Sequence, residues 1–286
     1  MSRLFDSEFL KKIQQLTLNT RFSLDGASVG NRKSRSKGSS VEFSDYREYA
    51  PGDDFRRIDW NAYGRFEKLF IKLFMEEREA PVTIFLDVSK SMDWGEPNKS
   101  IASRRLAAAL AYISLANFDK VSMVCVDDSI QKICRDIRGK NFFYRITDML
   151  ENVHYSGKSY IYQAIESFRI FSGRGITAVI SDLFSKGDFR NLLKHLKYYK
   201  QEVYICHILS PQEIQPALNE SVRLVDSETE EVLDITVTPS LLNSYNRALI
   251  NFKNRIEHEC NKWGAHYFNF SSELAIEEMV KEVAEY

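Results

Sequence analysis

Short apolar runs alternate with amphipathic stretches from residue 81 to the end of the chain. Nearly continuous apolar runs are typical of strands buried on both faces, whereas apolar residues three or four positions apart are typical of helices. The predicted strands are VTIFLD (82–87), KVSMVCV (120–126), ITAVISD (176–182), VYICHIL (203–209) and HYFNF (266–270). The predicted helices cover residues 100–118, 143–153, 160–171, 189–199 and 241–263 and the final ELAIEEMVKEVAE. This alternation predicts an α/β fold with a doubly wound, mostly parallel sheet.

The first 80 residues lack this regular alternation. Apolar positions in DSEFLKKIQQLT (6–17) have helical spacing, and Asp6 or Ser7 can serve as the N-cap. The polar, Gly- and Ser-rich stretch GNRKSRSKGSS (30–40) predicts an exposed loop with a basic face. KLFIKLFMEE (68–77) predicts a strand, with a short helix as the alternative.

These patterns divide the chain into two predicted parts. Residues 1–80 hold an N-terminal helix and a β-containing segment with the sequence GDD…IDW, which we expect to pack on the core either as a small β-rich subdomain or by wrapping the sheet. Residues 81–286 form the α/β domain, into which a β-hairpin is inserted near residues 222–237, where apolar residues alternate around the polar sequence DSETEE.

Composition narrows the class of protein. The 286 residues are 44% hydrophobic and 28% charged with a formal net charge of −1, so bulk charge favours neither nucleic acid nor an anionic membrane. No apolar run approaches the roughly 20 residues that span a bilayer, and the N-terminus lacks a signal-peptide core. We therefore expect a cytoplasmic protein without a membrane span. The four cysteines form no C-x-x-C pair, and Cys125 and Cys206 are predicted core residues.

Carboxylates and hydroxyls follow the ends of the predicted strands. The five residues of this set are Asp87, Ser89, Ser91, Ser159 and Asp182. Because ligands of open α/β sheets bind outside the carboxyl ends of the strands, these side chains can converge at one edge. An all-oxygen set with little carboxylate charge suits Mg²⁺. The competing interpretation is turn and helix-capping chemistry, in which Ser and Asp are common.

The same segments resemble the von Willebrand factor A (vWA) domain and its metal-ion-dependent adhesion site. DVSKS matches the D-x-S-x-S signature, GKSYIYQAI (157–165) resembles the second metal segment, and VISD resembles the third. The resemblance implies that Asp87, Ser89, Ser91, Ser159 and Asp182 hold Mg²⁺, with Mn²⁺ or Ca²⁺ as alternatives. Ser159 stands where the family has threonine, and Lys158 and Tyr160 replace a glycine and an asparagine.

The segment before the first strand of the core resembles the signature of the domain of unknown function 58 family, R-x-Y-x-x-G-D-D-x-R-x-I-D-W. The matching residues are Arg47, Tyr49, Gly52, Asp53, Asp54, Arg56, Ile58, Asp59 and Trp60. We expect a structural role, in which arginines and carboxylates form a buried ion-pair and turn network that packs the segment on the core, with Trp60 as an anchor. A paired-carboxylate active site formed by Asp53, Asp54 and Asp59 is the alternative.

The resemblance implies a non-catalytic protein-binding adaptor. A partner carboxylate would complete the metal's coordination, and a MoxR-type AAA+ ATPase would be the partner in chaperone-like or maturation work. One alternative is a metal-dependent hydrolase or phosphotransferase that uses Asp87, although Ser89 stands where the aspartyl-phosphate pattern has a second carboxylate. The other is nucleic-acid binding through Arg32, Lys33, Arg35 and Lys37, which we do not expect because this loop lacks interleaved aromatic residues.

Overall fold

The structure is a computed structural model, and it describes residues 4–19, 41–76, 81–168, 174–185, 187–216, 221–225 and 232–284. The described residues belong to two units. The first, called the sheet unit, lies within residues 1–26 and 80–286, and the second, called the signature unit, lies within residues 27–79.

The described residues form nine α-helices and ten β-strands, numbered here in chain order. The helices are α1 (Ser7–Asn19), α2 (Trp60–Phe66), α3 (Lys99–Ala116), α4 (Phe143–Glu151), α5 (Ile161–Ser167), α6 (Phe189–Tyr198), α7 (Pro211–Ile214), α8 (Pro239–Trp263) and α9 (Ile276–Ala284). The strands are β1 (Val41–Glu48), β2 (Phe70–Glu76), β3 (Pro81–Asp87), β4 (Lys120–Val126), β5 (Ile130–Ile137), β6 (Gly175–Ser181), β7 (Gln201–Leu209), β8 (Ser221–Val225), β9 (Val232–Thr236) and β10 (His266–Ser271).

Six strands form the central sheet in the order β10-β7-β6-β3-β4-β5. All neighbours are parallel except β5, which runs antiparallel to β4. The predicted α/β fold with a mostly parallel sheet is confirmed, and it is consistent with a vWA-like or Rossmann-like architecture. Strand β5 was not predicted, because it is a largely exposed edge strand in which only Ile137 is fully buried. Its sequence therefore lacks the apolar run that marks the inner strands.

Helices cover both faces of this sheet. Val82, Ile84 and Leu86 of β3 pack into a core with residues of α1, α3, α4 and α9, whereas Phe85 belongs to a second core with α5, α6 and α8. Burial on both faces explains why the inner strands are continuous apolar runs rather than alternating ones. Helix α1 contributes Phe9 and Ile13 to the first core, and its N-terminus is capped as predicted, since Asp6 accepts the Phe9 N–H at 2.8 Å.

The connections out of β3 and β6 run to opposite faces of the sheet. The chain leaves β3 toward α3 on one face and leaves β6 toward α6 on the other, although the two strands are neighbours. A reversal of strand order of this kind opens a crevice at the carboxyl ends of the two strands. The ends of β3 and β6 are the places where the sequence puts Asp87 and Asp182.

Two further strands lie in the region where the sequence predicts a hairpin. Strands β8 and β9 pair antiparallel, with Ser221 opposite Thr236 and Val225 opposite Val232. Helix α8 follows this hairpin and ends at Gly264, whose left-handed backbone (φ 61°) supplies the C-cap that glycine adopts without strain.

The signature unit is a two-stranded antiparallel sheet with one short helix. Strand β1 pairs with β2, so residues 70–76 form a strand within the predicted range. Asp59 is buried and caps α2, since one of its oxygens accepts the N–H groups of Asn61 and Ala62 at 2.9 and 3.3 Å. Its other oxygen accepts the Tyr46 hydroxyl at 2.9 Å, so that this carboxylate joins the helix to strand β1.

The other signature carboxylates also have local partners. Asp53 accepts Arg47 at 2.7 Å and the Ala50 N–H at 2.9 Å, and Asp54 accepts the Arg56 N–H at 3.1 Å. These contacts support a turn-forming role, as expected from the sequence. The Arg47–Asp53 pair is partly exposed rather than buried, with 45% and 24% of the two side chains accessible. Trp60 is 64% exposed and its ring lies 6.3 Å from that of Tyr63, so its role as an anchor stays a prediction.

Replacing Asp59 tests the structural role of the signature. We expect Asp59→Ala to destabilise the signature unit by about 1–2 kcal/mol, because it removes a helix cap and the partner of Tyr46. Asp59→Asn should cost less, since its amide oxygen can still cap α2. Hydrogen exchange of the β1 and β2 amides measures the difference. Equal protection in wild type and Asp59→Ala would contradict the capping role.

Candidate metal site

Asp87 is the centre of the candidate site. It is the last residue of β3 and is fully buried. Its Oδ1 accepts the Ser89 N–H at 3.0 Å, and its Oδ2 accepts the hydroxyls of Ser159 at 2.7 Å and Ser181 at 2.6 Å. Both carboxylate oxygens are therefore held by hydrogen-bond donors from three different segments.

Strand register and loop contacts bring these donors together. Leu86 pairs with Ile180, so the next residues, Asp87 and Ser181, lie side by side on neighbouring strands. The loop that carries Ser159 is fastened to the first segment by backbone hydrogen bonds from Ser156 N to Val88 O (3.1 Å) and from Lys90 N to Gly157 O (3.3 Å). Ser159 therefore reaches Asp87, although its neighbours Lys158 and Tyr160 depart from the vWA pattern.

The hydroxyls of Ser89 and Ser91 lie 3.1 Å apart. Ser89 is fully buried and occupies the N-cap position of a short helical turn, Lys90–Met92, yet its side chain makes no capping hydrogen bond. Capping therefore does not account for this hydroxyl. Ser91 is half-buried, and it is the member of the predicted set with the greatest access to solvent.

Asp182 meets a different environment from Asp87. It directly follows β6 and is fully buried; its Oδ1 accepts the Phe184 N–H at 3.2 Å. Its Oδ2 accepts the ammonium of Lys99 at 3.0 Å, and the same ammonium lies 2.7 Å from Glu213 Oε1. Lys99 is fully buried, so one internal cation is shared by two carboxylates.

The two aspartates consequently differ in how their charge is balanced. Burial, and after it the nearby Asp182, raises the pKa of Asp87 to about 6, against the opposing effect of hydrogen bonds from Ser181, Ser89 and Ser159. Burial acts to lower the pKa of Lys99, but Asp182 and Glu213 outweigh it and raise that pKa, so Lys99 stays an ammonium. Among the described residues, no cationic side chain contacts Asp87.

The donor set around Asp87 fits a hard divalent cation. Within the described part of the chain, no three His, Cys, Asp or Glu side chains gather as a metal-binding group. Hydroxyl oxygens with one carboxylate suit Mg²⁺, which keeps several of its waters. Asp87, Ser89, Ser91 and Ser159 satisfy that description, whereas Asp182 has one oxygen already paired with Lys99.

Comparison with known proteins places this chain in a family. The family model described as "Protein of unknown function DUF58" matches residues 45–254, and the chain belongs to this family. The uncharacterized proteins Mb1516 of Mycobacterium bovis and Rv1480 of Mycobacterium tuberculosis are each 22% identical to it over 249 residues. That match covers 85% of this chain and 78% of either relative.

Two crystal structures match part of this chain at low similarity. BatB from Bacteroides thetaiotaomicron is 17% identical with a TM-score of 0.43, and an aerotolerance-related membrane protein from Bacteroides fragilis is 16% identical with the same TM-score. Each match covers 72% of this chain and all of the other. Likeness at this level carries no conclusion about function. In the described residues, no helix has the length and apolar character that crossing a membrane requires.

The structure brings three of the predicted residues close to Asp87: Ser159 and Ser89 bond to its carboxylate, and Ser91 lies next to Ser89 in the adjoining turn. Asp182 lies at the end of the neighbouring strand. Ser181, Lys99 and Glu213 also belong to this region, and the sequence did not indicate them. The capping-box pattern S-x-x-E in SPQE (210–213) could have located α7, in which Ser210 and Glu213 bond reciprocally. No local pattern marks Lys99 as buried.

The uncompensated charge of Asp87 should cost stability when no cation is present. We expect Asp87→Asn to stabilise the protein in chelator at pH 8 by on the order of 3 kcal/mol, which is the equivalent of a pKa raised from 3.8 to about 6. The native state binds the proton more tightly than the unfolded state, so the cost is present above the folded-state pKa and absent below the unfolded-state pKa. The gain should therefore shrink as the pH is lowered from 8 to 4.

Chemical denaturation at each pH measures this gain. Asp148→Asn is the matched control, because Asp148 is exposed on α4 and should change stability little at any pH. An Asp87→Asn protein that is less stable than wild type at pH 8 in chelator would rule out the electrostatic account.

Proposed function

We propose that this chain is a non-catalytic protein-binding module of the vWA type, with a Mg²⁺-dependent adhesion site at the ends of β3 and β6. The observation that carries the proposal is the fully buried carboxylate of Asp87, surrounded by hydroxyls and contacted by no cationic side chain of the described residues. A buried charge needs a partner of opposite charge to offset its desolvation. A divalent cation is the partner that this donor set suits best.

The proposed chemistry is coordination rather than bond breaking. Asp87, Ser89, Ser91 and Ser159 would hold the ion, which would supply positive charge for an Asp or Glu carboxylate from a partner protein. Ser91 is half-buried while Ser89 and Ser159 are not exposed, so a partner would approach from the side of Ser91. With one uncompensated carboxylate in the site, the bound ion would stay strongly attractive to a second one.

We further propose a MoxR-type AAA+ ATPase as the partner, in chaperone-like or maturation work. This partner is what the resemblance of the GDD…IDW and D-x-S-x-S segments to the DUF58 and vWA signatures implies. The family itself is described only as being of unknown function. The partner proposal is therefore tested separately from the metal site.

The alternative functions gain no support from the described residues. Use of Asp87 as a nucleophile has no support beyond the sequence, in which Ser89 stands where the aspartyl-phosphate pattern has a second carboxylate. The basic segment of residues 32–37, considered for nucleic-acid binding, lies outside the described residues.

Metal binding is tested on the full chain with Mn²⁺ as a spectroscopic probe and Mg²⁺ as its competitor. We expect saturable Mn²⁺ binding to wild type, followed by electron paramagnetic resonance, that Mg²⁺ displaces. Asp87→Ala and Ser159→Ala should weaken it by about tenfold or more, because each removes an oxygen donor. The exposed-site control Asp148→Asn should bind as wild type does. Failure of wild type to bind Mn²⁺ would contradict the proposed metal site.

Partner binding is tested with a purified MoxR-type ATPase from the genome that encodes this chain. We expect wild type to capture the ATPase in Mg²⁺ but not in chelator, and Asp87→Ala to fail under both conditions, since the partner carboxylate would have no ion to bind. Capture that is indifferent to chelator and to Asp87→Ala would contradict an adhesion-site contact while leaving a metal-independent contact standing.

A further inference from the structure

Lys99 occupies a position that ordinary helix chemistry disfavours. It is the first residue of α3, where the helix dipole is positive, and it is fully buried. A lysine in the first turn is repelled by the dipole, and a buried ammonium loses its hydration. Its presence there requires strong compensation from the residues around it.

Two carboxylates supply that compensation from distant parts of the chain. Lys99 Nζ lies 3.0 Å from Asp182 Oδ2 and 2.7 Å from Glu213 Oε1. The other oxygen of Glu213 accepts the N–H and hydroxyl of Ser210 at 2.7 and 3.0 Å, which fixes the carboxylate in place. The ammonium is thus held at the strand ends by residues on β6's exit loop and on α7.

Lys99 contacts Asp182 and does not contact Asp87. Its hydrogen bonds in the described residues go to Asp182 and Glu213, while Asp87 is bonded by Ser89, Ser159 and Ser181. The lysine therefore makes no hydrogen bond to Asp87 or to the serines that surround it in the described residues. Lys99 offsets the negative charge of Asp182 and does not offset that of Asp87.

We propose that Lys99 is a resident counter-cation that takes Asp182 out of the metal's direct coordination and sets the site's affinity for divalent cations. This inference rests on the proposed metal site and deepens it. The metal is held by Asp87 and hydroxyls, and Lys99 offsets part of the negative charge that Asp182 and Glu213 bring to the site. Because the site carries little negative charge, the ion is weakly held and exchangeable. This suits an ion whose coordination is completed by a carboxylate of the partner.

The alternative is that Lys99 is only a structural staple between α3, β6 and α7, and that Asp182 is a direct ligand as the vWA resemblance implies. Stability does not separate the two, because removal of Lys99 leaves buried carboxylates unpaired in either case. Metal affinity does separate them. If Asp182 is a direct ligand, its removal weakens Mn²⁺ binding even when Lys99 is absent, whereas removal of a pair of offsetting charges leaves the affinity nearly unchanged.

The experiment compares Mn²⁺ dissociation constants of four full-length proteins: wild type, Lys99→Met, Asp182→Asn and the double variant. The single Lys99→Met variant should bind Mn²⁺ about tenfold or more tightly than wild type, because the carboxylate charge is no longer offset. The double variant should bind with nearly wild-type affinity, because it removes one positive and one negative charge together. The control Lys140→Met removes an exposed lysine at the start of another helical turn and should change nothing.

The double variant keeps the test decisive if Lys99→Met does not fold, since it leaves one carboxylate, Glu213, without its cation, whereas Lys99→Met leaves two. A double variant as weak as Asp182→Asn would overturn the proposal, because Asp182 would then be a ligand. Unchanged or weaker binding by folded Lys99→Met would also overturn it. Should wild type fail to bind Mn²⁺ while Lys99→Met binds it, the proposed function fails in the native chain but the role of Lys99 is upheld. If none of the four proteins binds, both proposals fail.

Discussion

The burial of the Asp87 carboxylate at the end of the central strand is the constraint on which the candidate site depends. A carboxylate that is removed from water and lacks a cationic neighbour must be stabilised by oriented donors. Here the donors come from the turn after β3, the loop before α5 and the last residue of β6. The three segments are far apart in sequence, and their convergence follows from the parallel pairing of β3 with β6. The site is therefore a property of the sheet topology rather than of any single loop.

The second aspartate shows how the same edge can balance charge in two ways. Asp182 is paired with Lys99, and Lys99 is paired again with Glu213 on α7. The loop before α3 is also tied to α7, since Gln212 exchanges two hydrogen bonds with the backbone of Glu96, at 3.0 and 2.7 Å. Gly95 (φ 94°) packs so closely on Ser210 that an added Cβ would lie 2.4 Å from its Cβ. Only glycine fits such a contact, so the start of α7 packs closely against the loop that leads into α3.

The fold could be predicted from the sequence because its strands are buried on both faces and its helices are amphipathic. β5 escaped prediction because an edge strand lacks that burial, and α7 because it has only four residues. Asp87, Ser89, Ser91, Ser159 and Asp182 could be selected since they follow strand ends or family-like segments. The residues that contact these aspartates could not be predicted in the same way. Lys99 meets Asp182 and Glu213 across 83 and 114 residues, and a lysine before a helical pattern predicts an exposed side chain. Only the tertiary structure reveals that this one is buried.

The position of Lys99 also changes what the family-like motif implies. A motif match identifies residue types at a spacing, but a metal site is defined by which oxygen atoms remain available. At Asp87 the donors are a backbone N–H and hydroxyls, and a hydroxyl that donates to a carboxylate still has lone pairs to offer a cation. At Asp182 the donor is an ammonium, which carries charge and offers no lone pair. The motif gives both aspartates the same role, yet the two differ in how well they can coordinate a cation. The difference arises from Lys99, a residue that the motif does not include.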